Sequence, residues 1–291
     1  MWTVPPESPE SNALAAIASR SDGPPIEPAW RVTVNFHPDR TLGDSSLLEV
    51  LAKDGVLRSQ FETRTSNGGL TAFEGGDRWR WESRIFSGAY DLESASRRPK
   101  YGALNYQRRS VGASPRFGSS HFRLAAHVFQ RTTFCYPDSV FEPQRFGNAS
   151  HMGLIKACDS DHRDDLDRYI EAHVHGPVDL SQDVEALVLD PCYVGTRVEA
   201  DALTLPVRVE WHSGFRVAID TVHQFPEYRG QRYVELAATL AVDGWLTPAI
   251  IGNAAVSGQY ADDDLKKVWH YLARFAKTKQ DSNNQSTGPE A

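Results

Sequence analysis

Cysteine is scarce and scattered: Cys135, Cys158 and Cys192 are the three in 291 residues, with no short spacing between them. An odd, dispersed set excludes a disulfide framework and a zinc ribbon. No apolar run approaches the roughly 18 residues that a membrane-spanning helix needs. The opening MWTVPPESPESNALAAIASR lacks the basic start and apolar centre of a secretory signal. A cytoplasmic protein, or one delivered into a target cell by a specialised route, is therefore expected. Positive charge is also short. A net charge of −7 and a pI near 5.8 argue against a broad nucleic-acid binder, which neutralises phosphates with excess basic residues. No GxGxxG, GxxxxGK[ST] or GxSxG occurs, which removes the dinucleotide fingerprint, the P-loop and the nucleophile elbow.

What is present is ordinary globular composition, 40% hydrophobic and 24% charged. Residues 1–28 are rich in Pro, Ser, Glu and Ala without apolar periodicity, and 278–291 are polar and simple. Both are expected to be mobile tails around one domain over 29–277. Arginine greatly outnumbers lysine. A GC-rich genome explains that blandly, whereas arginine's planar fork also suits phosphates and carboxylates.

Val32, Val34 and Phe36 alternate with polar neighbours, which predicts a strand with one buried face. In SSLLEVLAKDG, Ser46 and Glu49 have capping-box spacing, and Gly55 supplies the stop of a short helix. Further strands are expected within 101–106, 121–129, 131–136, 169–176, 184–190, 206–212 and 216–225, with a terminal helix in DDDLKKVWHYLARF. Strands outnumber helices without strict alternation. The fold class is therefore α+β.

Three stretches carry chemical interest. His37 through Asn67 places a histidine at a strand end, a helix and a Gly turn together, which suits a ligand cleft. The stretch 97–124 mixes tyrosines with arginines, a combination that stacks on rings and holds phosphates, or else forms a solvated hairpin face. In YIEAHVHG, Tyr169, Glu171, His173 and His175 share one strand face. That face reads as a catalytic carboxylate, as part of a metal site or as a solvated edge. His121, His127, His151, His162 and Asp190 are the candidates for a third metal ligand.

Taken together, NFHPDR, RSQFET with a nearby SNG, RPKYGALN, GASPRFGS, RTTFCY, YIEA-V-G and VEALVLDP resemble a family of bacterial and fungal proteins whose segment order is similar to the mono-ADP-ribosyltransferases. The resemblance implies an ADP-ribosyltransferase-like split sheet with flanking helices, and NAD as co-substrate. It implies Glu171 as the catalytic carboxylate. His37 would meet the adenosine-side ribose and Arg40 the pyrophosphate, with Arg58, Gln60, Ser66 and Asn67 along the cleft and Tyr101 packed on the nicotinamide ring. Tyr169, Arg116 and His173 would lie toward the acceptor or behind the site. Many arginine-modifying members of the wider superfamily carry Gln or Glu where this chain has Tyr169. The acceptor implied is a macromolecule, a protein side chain ahead of DNA or RNA, for which Arg97, Arg98, Arg108, Arg109 and Arg116 would supply a groove. The competing expectations are a metal-dependent hydrolase using His173 and His175, with no metal expected in the first reading, and a catalytically silent binding domain.

Overall fold

The computed structural model describes residues 1–64 and 70–276. Eight strands form its main sheet: β1 (Val32–Phe36), β2 (Lys100–Leu104), β3 (Ser120–Leu124), β4 (Thr132–Tyr136), β5 (Arg145–Asn148), β6 (Glu171–Val174), β7 (Val184–Leu189) and β8 (Val209–Trp211). Their spatial order is β8-β7-β3-β1-β2-β6-β4-β5. Only the β7–β8 pair is parallel, so the sheet is mixed and the fold is α+β with flanking helices. One sheet face holds the principal core, into which Val32, Leu104, Phe122, Ala172 and Val174 point.

The centre of this sheet is forked. β1 and β2 pair over two positions, Val32 with Leu104 and Thr33 with Ala103. Beyond them, Val34–Phe36 pair with β3, and Lys100–Gly102 pair with β6. Gly102 stands at the parting. A Cβ there would lie 2.7 Å from the Thr33 carbonyl oxygen and 3.0 Å from Val32 Cγ1, so only glycine lets the strands meet this closely.

Helix α2 (Leu47–Asp54) forms as its sequence predicts. The Ser46 and Glu49 side chains cap it reciprocally, and Gly55 ends it at φ +69°. A second capping box, Ser59 with Glu62, opens the short α3 (Gln60–Thr63) beside the fork.

Three expectations are corrected. Residues 1–28 are not merely a tail, because α1 (Pro9–Ala18) buries Ala13 and Ile17 against Trp81, Ile85 and Phe86 of the α4 region, α4 being Asp77–Ile85. Its stripe is only two residues wide, which hid it among polar neighbours. The strand expected over 121–129 stops at Leu124 and turns into a 3-10 segment, Ala126–Arg131. The strand expected over 216–225 is two residues long, Val217–Ala218, and runs into a helical turn, Ile219–Val222. The expected tail at 278–291 lies outside the described residues.

After the sheet, α5 (Gln231–Leu240), α6 (Pro248–Val256) and α7 (Asp262–Phe275) gather around a second apolar cluster containing Val234, Ile251, Leu265 and Trp269. Trp269 ties this cluster to the sheet by donating its indole N–H to the carbonyls of Pro115 and Arg116, at 3.0 and 3.1 Å. No helix among the described residues is long and apolar enough to cross a membrane.

Candidate active site at the sheet fork

The fork opens a cavity of about 220 Å³, walled by Asn35 of β1, Lys100 and Tyr101 of β2, Glu171 of β6, Gln60 of α3 and Arg78 of α4, with Arg58, Asp138, Ser139 and Tyr169 around them. A neighbouring cavity of about 440 Å³ shares Phe36, Leu42, Leu47, Thr63 and Phe117, and reaches His37, Arg40, Arg116 and Trp269.

Glu171 reaches the first cavity because of strand alternation. Ile170, Ala172 and Val174 point into the principal core, so Glu171 and His173 must face the other side. That side is not a solvated edge. Helices α1 and α4 cover it, leaving Glu171 5% exposed and both His173 and His175 at 0%.

A buried carboxylate needs partners. Glu171 Oε2 accepts from the Ser139 hydroxyl at 3.0 Å, and Oε1 lies 3.0 Å from His173 Nε2. The Arg78 guanidinium stands 3.8 Å from Oε1. Burial pushes the Glu171 carboxyl up, but the His173 hydrogen bond and the Arg78 charge together outweigh it and hold it below the usual glutamate value. Arg78 is itself buried. It donates to Ser139 Oγ at 2.6 Å and lies 4.1 Å over the Tyr101 ring, and its Nε has no partner. Burial would lower its guanidinium, but Tyr101, Glu171 and Glu82 raise it above the ordinary value, so it stays charged.

The sequence-expected residues divide between the two cavities. Glu171, Tyr101, Tyr169, Arg58 and Gln60 line the first; His37, Arg40 and Arg116 line the second. Ser66 and Asn67 lie outside the described residues. Tyr101 donates its hydroxyl to Glu82 Oε1 at 2.8 Å, and Tyr169 donates to Asp138. Gln60 keeps a buried Oε1 without a partner. His37 meets the Trp269 ring edge-on at 4.8 Å, and burial, with Arg40 nearby, lowers its pKa to about 3. Arg40 pairs with Asp262 at 2.9 Å, Arg58 with Asp54 at 2.5 Å and Arg116 with Asp167.

His173 is fully buried behind Glu171 and lines neither cavity. The arginines expected to form a groove are engaged elsewhere: Arg97 with Glu10, Arg98 with the fully buried Glu82, and Arg108 with Glu27.

His173 and His175 do not converge on one point with any expected third ligand. Among the described residues, the ligand atoms that come within 4.8 Å of one another belong to Cys135, Glu171 and His173. Sequence reading missed Arg78, Ser139, Asp138 and Lys100. Arg78 had a signal, since Arg78, Trp81, Glu82 and Ile85 are spaced as one buried helix face. Two charges on that face concealed the period.

No curated protein matches the chain. A match over residues 31–158 and 144–275 takes in the fork, both cavities and the C-terminal helices, and places the chain as a member of the family described as "Protein of unknown function (DUF3626)".

Proposed function

We propose that the protein is an NAD-dependent mono-ADP-ribosyltransferase that moves ADP-ribose to a macromolecular acceptor, a protein side chain ahead of a nucleic acid. The observation that carries this reading is Glu171, held below the usual glutamate value at one wall of a sheet fork, with Tyr101 beside it on the paired strand and Asn35 on the opposite wall. NAD supplies a ribose bonded to an already charged nicotinamide leaving group, so cleavage builds positive charge on the sugar. A fixed carboxylate beside such a sugar stabilises that charge, as oriented dipoles and charges do in other active sites.

The chain's own groups suit a dinucleotide. Two adjoining cavities give room for two nucleoside halves, and the unpartnered Gln60 Oε1 and Arg78 Nε offer an acceptor and a donor. Glu171 would hold the nicotinamide-side ribose, with Tyr101 toward the ring and Arg78 behind the carboxylate. His37 would hold the other ribose, and Arg40 would meet the pyrophosphate after exchanging its exposed partner Asp262. The acidic net charge of −7, with Arg98 buried against Glu82, favours a protein acceptor over a nucleic acid. The test is thermal stability with and without NAD, followed by measurement of released nicotinamide.

A second reading rests on Cys135, Glu171 and His173, whose chemistry suits a thiolate, carboxylate and imidazole metal site. It predicts stoichiometric zinc in the purified protein and hydrolysis without NAD. Against it stands the Arg78 cation, 3.8 Å from Glu171, which competes for the same carboxylate.

A further inference from the structure

Behind Glu171 runs a continuous buried line of polar groups. His173 Nε2 lies 3.0 Å from Glu171 Oε1, and His173 Nδ1 lies 3.1 Å from Thr133 Oγ1. The same Thr133 oxygen lies 3.0 Å from His175 Nε2, and His175 Nδ1 lies 2.7 Å from the Tyr90 hydroxyl. Cross-strand pairing of Thr133 with His173 creates this line, and α4 with the turn after it closes it over. Thr133, His173, His175 and Tyr90 are all at most 1% exposed, so water cannot supply alternatives.

The direction of every bond follows from the inventory of donors. An ionised Glu171 only accepts, so His173 must present Nε2–H. A neutral His173 then has a lone pair at Nδ1, which takes the one Thr133 hydrogen. Having donated, Thr133 accepts from His175 Nε2–H, and His175 Nδ1 accepts from Tyr90. Neutrality of both rings has a physical cause. Burial disfavours the imidazolium in each, and cations face them: Arg78 from α4 toward His173, Arg131 and Lys100 toward His175. The anionic side is also accounted for, with Glu171 facing His173, Asp138 and Cys135 facing Glu171, and Glu82 and Glu10 facing Tyr90.

We infer that Thr133 is a positioning residue: with His173, His175 and Tyr90 it forms a one-way hydrogen-bond chain that fixes both imidazoles as Nε2–H tautomers and aims one donor at Glu171. Protonating Glu171 at Oε1 would require reversing the chain. The chain therefore orients the carboxylate and disfavours a proton at Oε1 without touching substrate. Its existence is independent of the NAD reading; its bearing on catalysis rests on that reading.

The test is side-chain ¹⁵N NMR of the full chain, with the Glu171 carboxyl carbon followed through a pH titration. In the wild type, His173 and His175 are expected as neutral Nε2–H rings at about pH 7 and above. Thr133→Val removes the hydroxyl at nearly constant shape. It should release the His173 tautomer and raise the Glu171 midpoint by about one pH unit or more, while Thr133→Ser restores both. An imidazolium or an Nδ1–H ring in the wild type overturns the inference, as does a Thr133→Val protein with an unmoved Glu171 midpoint. Should Thr133→Val not fold, the wild-type tautomers still decide. The acid limb of nicotinamide release should move with the same substitution. If the wild type releases none, the NAD reading fails while the tautomers report separately on the chain.

Discussion

The guanidinium of Arg78 lies 4.1 Å over the ring of Tyr101, so a residue of α4 is stacked on a residue of β2 at the wall of the central cavity. The same guanidinium reaches Ser139 and stands near Glu171. One buried cation thereby ties helix, strand and carboxylate together.

Replacing it should be costly. Arg78→Leu leaves Glu171 buried with no nearby cation and removes the donor to Ser139. A loss of about 3 kcal/mol is expected, in the range seen when one partner of a buried pair is removed. Urea melts of the variant and wild type measure it. Arg78→Lys, which keeps the charge but not the planar fork, should recover part of the stability and little of the stacking.

Gly102→Ala should destabilise the fork by about 1–3 kcal/mol, the usual cost of forcing extra volume into a packed site. The added methyl has nowhere to go except into the Thr33 carbonyl. Thermal melting checks the cost, and the same change at Gly43, where a Cβ would meet nothing within 4 Å, gives the comparison for glycine's conformational contribution at a turn.

Acid should weaken the fold well above the carboxylate range. Burial lowers His37 and His121 to about 3 and His270 to about 2. A depressed folded pKa means that the unfolded chain takes up these protons first, from about pH 6.5 downward. Stability is therefore full above that value and falls with pH through the window between 6.5 and 3. Each such histidine contributes a loss of about 1.4 kcal/mol per pH unit there. His270 has no hydrogen-bond partner on either ring nitrogen, so His270→Phe should flatten the slope of stability between pH 6.5 and 5. An unchanged slope would show that His270 titrates normally.

The parts of this structure that could be read from residues alone are those set by local rules. β1 falls where the alternation of Val32, Val34 and Phe36 places a strand, although both its faces are buried, α2 carries its own caps, and the terminal helix has acids first and bases last. Glu171, His173 and His175 were recognisable as an abnormal polar strand face. Their burial was not, because α1 and α4 cover them, and neither helix announces itself. The stripe of α1 is Ala13 and Ile17, and the hidden face of α4 includes Arg78 and Glu82. Long-range partners explain the remaining misses. Arg97, Arg98 and Arg116 read as free cations in sequence, whereas their carboxylates come from Glu10, Glu82 and Asp167. The fork itself depends on β1 and β2 meeting over two positions, a register that pattern alone does not fix.

The central claim is that Glu171 acts on NAD at the fork. Nicotinamide release should be measured for the wild type and for Glu171→Gln, with NAD binding followed in parallel by thermal shift. The account predicts that both proteins bind NAD, and that the substitution lowers the release rate by on the order of 10²-fold or more. Equal release by the two proteins, or no NAD binding by the wild type, would contradict it.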